Sequence, residues 1–209
     1  DPRSELVATH LELGGQPHAA ARAFLRAARA AARAFAYRAA NLAYERAFRL
    51  DATLADREGR VAQAEILAAL GLRHRAAEAY LLAAGGMQGA AALRVRAAEQ
   101  YLLSSRIQAG APLLAGVLAA QSIPTKTPGV SLLFSIAWAH LRLATNWLPK
   151  ATTPDELHVL WVAAAALSPF QPLLSHWYGA LFALRARAAA DPSALARAAA
   201  LEAILLARF

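Results

Sequence analysis

PHAAARAFLRAARAAARAFAYRAANLAYERAFRLD, residues 17–51, decides the fold, because one packing pattern occurs in it twice. Ala20, Phe24 and Ala27 set a small residue, an aromatic four positions on, and a small residue three further. Ala40, Tyr44 and Ala47 repeat it. Both sets have helical spacing, which puts their members on one face. Small residues let two helices approach closely, and the aromatic fills the groove so created.

Working outward, Ala76, Tyr80 and Ala83 give a third copy. Gly110, Leu114 and Val117 give a diluted fourth, which follows the third by one helical-hairpin period of about 34 residues. Preceding helices carry a matching mark, a small residue and then a larger one three on: Ala8 with Leu11, Ala64 with Leu67, Ala98 with Tyr101. Repetition at this period is the signature of stacked helical hairpins, each leaving an apolar face that only a neighbour can cover. Ala20 and Ala40 stand closer together than one period, so the helix over 17–33 closes one hairpin and opens the next.

Boundaries are well punctuated. Asp1-Pro2, Gln16-Pro17, Thr127-Pro128, Thr153-Pro154, Gln171-Pro172 and Asp191-Pro192 read as helix starts, since Pro at the first helical position loses no needed hydrogen bond. Thr153-Pro154-Asp155-Glu156 adds a capping hydroxyl and two carboxylates at the positive end of the helix dipole. Gly14-Gly15, Gly71 and Gly85-Gly86 mark helix ends. The marks predict about eleven antiparallel helices, over 2–13, 17–33, 36–50, 53–69, 73–84, 88–104, 106–121, 128–148, 154–167, 171–190 and 192–208. The fold expected is all-α, a right-handed α-α superhelix. Residues 1–121 form its regular hairpins, and residues 122–209 continue it as divergent, Trp-rich helices.

Composition agrees. The 209 residues are 58% hydrophobic and rich in Ala, Leu and Arg, while strand-favouring residues are sparse. The formal charge is +8, nearly all from Arg. That balance could serve an acidic partner or a phosphate backbone. GC-rich codons also supply Arg and Ala, and across the chain there is no Lys/Arg block and no aromatic interleaved with a basic stripe, which argues against nucleic acid. There is no cysteine, hence no disulfide and no thiolate metal site. No signal sequence opens the chain, which begins at Asp1 as an excised fragment would, and cytoplasm is the default compartment. Residues 107–125 and 157–184 are apolar, but Gly110, Pro112 and Gly116 interrupt one and Ser168, Pro169, Gln171 and Pro172 cut the other. Neither piece suits a core of ~30 Å of hydrocarbon, and both read as buried helices.

The stretch LELGGQPHAAARAFLRAA, residues 11–28, resembles a tetratricopeptide (TPR) hairpin, and AYRAANLAYERAFRLD, residues 36–51, resembles its next helix. DPRSELVATHLELGG at the start and RAAEQYLLSSRIQAGAPLLAGVLAA over 96–120 resemble the TPR region that follows the nucleotide-binding module of large bacterial serine/threonine kinase-like proteins, where that module is of the AAA or STAND ATPase type. The resemblance covers residues 1–120 and, more loosely, 157–207, and it implies a regulatory or scaffolding arm that binds protein or peptide, or other domains of its parent chain. Similar hairpins occur in ATPase-coupled transcription activators. Ser105 departs from the pattern, which would place Gly in that turn.

No residue set suggests catalysis. Gly85-Gly86-Met87-Gln88-Gly89 lacks the Lys and Ser/Thr of a phosphate loop and joins two helices. Kinase signatures are absent. His10, His18, His74, His140, His158 and His176 show no metal-ligand spacing, and Ser175-His176 has no orienting acid nearby. Neither cofactor nor metal is expected. Trp138, Trp147, Trp161 and Trp177, with Phe134, Phe170, Tyr178 and Phe182, read as packing core, with a ligand pocket as the alternative. Glu65 and Glu99, one period apart, fall in the phase that faces the concave groove of TPR arrays and are candidates for a basic peptide; Arg60 and Arg94 share that phase and could neutralise them. The function expected is protein binding within a larger signalling protein. A ligand-sensing arm of a transcription regulator and a basic nucleic-acid adaptor are the rivals.

Overall fold

A computed structural model describes residues 2–85, 90–126, 128–149 and 153–206. Among them the chain is all-α, with eleven helices and no strand. They are α1 Pro2–Leu13, α2 Pro17–Arg33, α3 Tyr37–Leu50, α4 Arg57–Ala69, α5 Arg73–Ala84, α6 Ala91–Leu103, α7 Ile107–Ala120, α8 Val130–Ala144, α9 Pro154–Leu167, α10 Pro172–Ala189 and α11 Pro192–Leu206. Asp1, Gly86 to Gly89 and Thr127, which carried sequence marks, lie outside the described residues, as do positions 207 and 208 of the last expected helix.

The chain divides into two compact units, residues 1–106 and 107–209. In the first, sequential neighbours pack: α1 on α2, α2 on α3, α3 on α4, α4 on α5 and α5 on α6. In the second, α10 is central, packed against α8, α9 and α11, and α7 touches α9. All twelve residues of the repeated triads are buried, from Ala20, Phe24 and Ala27 to Gly110, Leu114 and Val117. Ala8, Phe24 and Ala47 meet in one core cluster, and Ala28, Ala40, Tyr44 and Ile66 in the next.

One turn closes helix after helix. A residue one or two past the helix takes positive φ and bonds back three residues, while the next N–H bonds back five, the double closure of a Schellman motif. It occurs with Gly15, Phe35, Gly71, Ser105, Ser122, Asn146 and Ala190 in the left-handed position. Ser105, at φ 61°, thus makes the same turn as Gly71, at φ 74°, without glycine's freedom.

Starts follow the proline marks for α2, α9, α10 and α11. The Thr153 hydroxyl accepts from the Glu156 N–H at 3.2 Å and the Thr153 N–H donates back to Glu156 at 3.4 Å, completing a capping box. Two helices differ from expectation. The run over 53–69 splits into a 3-10 turn, Ala52–Leu54, and α4, because Asp51 accepts from the Thr53 N–H and Asp56 caps the Gly59 N–H at 2.8 Å. The run over 128–148 shortens to α8 at both ends: Pro128 lies ahead of the N-cap Gly129 and does not open the helix, and Asn146, at φ 55°, closes it early.

Candidate functional site

In the first unit each repeat aromatic is held by an arginine from a second helix that also reaches a carboxylate on a third. The Arg46 guanidinium lies 4.8 Å from the Phe24 ring centroid and 3.6 Å from Glu12 of α1. Arg29 of α2 lies beside the Tyr44 phenol and reaches Glu58 of α4 at 3.5 Å. Arg96 of α6 lies over the Tyr80 ring at 5.8 Å and donates to Glu65 of α4 at 2.9 Å. Burial raises both phenols above their ordinary pKa, against the downward pull of the arginines. Arg can stack on a ring and fork to a carboxylate together, which Lys cannot.

This arrangement decides how the sequence candidates sit. Glu65 is exposed but ion-paired to Arg96, and Glu99 lies close enough to act on the Tyr80 phenol. Arg60 does not neutralise Glu65: its Nε donates to the Ala55 carbonyl at 3.0 Å and its guanidinium lies 5.9 Å from the Phe48 centroid. Arg94 stands exposed in the first turn of α6. The cation that meets Glu65 is therefore Arg96, which lies off the repeat phase. Ion pairs between α3 and α5, through Glu45 and Arg75, and between α9 and α10, through Glu156 and Arg185 at 2.9 Å, extend the pattern.

The aromatic residues that read as one packing core in the second unit part company. Trp177, Tyr178 and Phe182 are buried, and Trp161 packs on Phe182 with centroids 5.7 Å apart. Phe134, Trp138 and Trp147 are instead 73%, 51% and 61% exposed, and the two indoles meet edge to face at 5.7 Å. Val130, Leu133 and Leu141 are exposed on α8 with them, while Leu132, Ile136 and Ala139 point into the core. The helix is apolar on both sides. Composition alone does not say which rings face out, so the sequence reading missed this face.

His140 of α8 and His176 of α10 bring their Nε2 atoms to 2.9 Å, so one ring donates to the other and at least one is neutral. Burial, and then His140, lower the His176 pKa. Glu202 of α11 stands 3.9 Å from His140 Nδ1. Beside the pair is a cavity of about 20 Å³, room for one water, next to an open depression of about 570 Å³; Leu143, Ala183 and Ala198 wall both, and no Trp does. The Ser175 hydroxyl faces elsewhere, donating to the Ala164 carbonyl at 2.7 Å. Among the described residues no three His, Asp or Glu converge as metal ligands, and no helix is long and apolar enough to cross a membrane.

No family model matches the chain, and neither a curated protein nor a solved structure is similar to it.

Proposed function

We propose that the chain is a non-catalytic, TPR-like interaction segment of a larger signalling protein of the kinase- or ATPase-associated kind, and that the outer face of α8 holds its protein partner. The observation that carries this is the row Val130, Leu133, Phe134, Trp138 and Leu141, five exposed apolar side chains on one α8 face, with Trp147 against Trp138. Contiguous exposed apolar surface marks interaction sites, and aromatic anchors supply most of the binding energy at them. Covering one such side chain contributes about 1.5–3 kcal/mol. The reading of Glu65 as a partner contact gains less support, because that carboxylate is engaged by Arg96. The aromatic ligand pocket of the sensor reading also gains less, because the cavity beside α8 is walled by His, Leu, Ala, Gly179 and Glu202 and by no Trp, Phe or Tyr.

A photo-crosslinking residue placed at Phe134 in the native cell tests the reading, with exposed Glu78 as the control position. A discrete conjugate with a second protein or with another domain of the parent chain is expected at 134 and not at 78, and Trp138→Ser should abolish it. Equal background at both positions would refute the reading.

A further inference from the structure

We propose that the outer face of α2 and the turn after it form a binding surface for single-stranded nucleic acid. This is a second activity, on a different helix from the protein-docking face of α8.

Arg22, Arg26, Arg29 and Arg33 are spaced four, three and four positions apart, which puts all four on one stripe of α2. All four are exposed, while Ala20, Phe24, Ala27 and Ala28 fill the opposite face. At 1.5 Å per residue the row is about 16 Å long, the length of about five stacked nucleotides. No carboxylate lies on α2, and residues 17–50 contain seven Arg and a single acid, Glu45. The chain's +8 is thus concentrated here. The acids nearby are engaged: Glu12 by Arg46 and Arg49, Glu45 by Arg75, Asp51 by His18, and Glu58 by Arg29 at 3.5 Å. Arg22, Arg26 and Arg33 make no ion pair among the described residues.

The row runs toward Phe35, which is 77% exposed at φ 58°. A bulky side chain in the left-handed region is strained, and the equivalent turns use glycine at 15 and 71 or the smaller Ser105, Ser122, Asn146 and Ala190, which leaves Phe35 the largest side chain among them. Packing does not account for it, since Phe35 touches Tyr37 edge to face at 6.1 Å and otherwise stands in solvent. Exposed Arg33 and Arg38 flank the ring pair. A cationic row that tracks phosphates, ending in an open aromatic on which a base can stack, is the general design of single-strand binding. A duplex keeps its bases stacked inside and leaves Phe35 nothing to stack on.

The test is fluorescence anisotropy of the full chain with a labelled, mixed-sequence single strand of about 15 nucleotides. Binding should be measurable at about 50 mM salt and fall steeply by about 200 mM. Substituting Gln for Arg22, Arg26 and Arg33 together, with circular dichroism confirming the fold, should flatten the salt slope by about 2 and weaken binding at least tenfold. Phe35→Gly should weaken binding about fivefold or more, yet raise the thermal midpoint by roughly 2–5 °C. A purely structural Phe35 would show the second change without the first. The proposal is overturned if no single strand binds at the lower salt, if Phe35→Gly leaves affinity unchanged, or if a polyglutamate peptide binds as tightly, which would reassign the face to acidic protein segments.

Discussion

Gly71 and Ser105 occupy the same position of the same turn, one repeat period apart, and exchanging their chemistries should move stability in opposite directions. At 71 a Cβ would meet nothing within 4 Å, so Gly71→Ala adds no clash and its whole cost is the backbone at φ 74°. An L-residue in the left-handed region costs about 1–2 kcal/mol. Glycine's greater loss of freedom on folding, about 0.5–1 kcal/mol, offsets part of that. Gly71→Ala should therefore destabilise the first unit by about 0.5–1 kcal/mol, and Ser105→Gly should stabilise it by as much. The Ser105 turn is anchored by the fully buried Leu102, so the gain is not lost to fraying of α6. For a unit of this size the shifts correspond to roughly 2–5 °C. Thermal unfolding followed by far-ultraviolet circular dichroism measures both variants in the intact chain. A Ser105→Gly protein that melts lower than the parent would refute the claim that backbone strain, not the serine hydroxyl, sets the stability of this turn.

Two further outcomes follow from contacts elsewhere. Gly59→Ala should lose about 1–3 kcal/mol in urea unfolding despite alanine's better helix propensity, because the new methyl would lie 2.9 Å from the Leu54 carbonyl oxygen and 3.1 Å from Phe48; a gain would show that the 3-10 turn yields freely. Because the folded His176 pKa is lowered, the stability it contributes is full above its unfolded value of about 6.5 and is lost as pH falls through the folded value. All four Trp lie in the second unit, so tryptophan fluorescence should report easier urea unfolding at about pH 5 than at about pH 7.5, and His176→Asn should flatten the difference; an unchanged pH dependence in that variant would count against the His140 pair as its source.

The helices and their buried faces were legible because both depend on local spacing. The triad Ala40, Tyr44, Ala47 is buried because residues three and four apart share a face, whatever packs there. Proline at 154 and 172 marks a start for an equally local reason. The turns were half legible. Gly15 and Gly71 announce positive φ, but Phe35, Ser105, Asn146 and Ala190 adopt it too, because backbone hydrogen bonds to the last helical turn fix the closure. The ion pairs were not legible. Arg29 pairs with Glu58, Glu45 with Arg75 and Glu65 with Arg96, 29, 30 and 31 positions apart, with the base first in one pair and the acid first in the other two, so a repeat phase of about 34 residues does not mark them. The phase that joined Glu65 to Arg60 follows the repeat, whereas a guanidinium reaches across helices. The α2 stripe was present in the spacing of Arg22, Arg26, Arg29 and Arg33, but an Arg count taken over the whole chain averages it away.

The arginines of the first unit thus divide by what they touch, and the division bears on the +8 that composition left ambiguous. A core built from alanine buries little apolar area per residue, so each repeat leans on its one aromatic, and Arg46, Arg29 and Arg96 brace Phe24, Tyr44 and Tyr80 while reaching Glu12, Glu58 and Glu65. Those charges come with a carboxylate partner and add nothing to the net excess. Arg22, Arg26, Arg33 and Arg38 touch no aromatic of the core and stand in solvent; Arg57, Arg94 and Arg106 do so singly on other elements, so the excess is densest on α2 and the turn after it. Codon bias would scatter surplus arginine over every exposed face. Packing would pair it. Neither places three guanidiniums without an ion pair among the described residues on one helix beside a strained, exposed phenylalanine, and that conjunction makes the α2 face a better place than the Glu65 groove to look for an anionic partner.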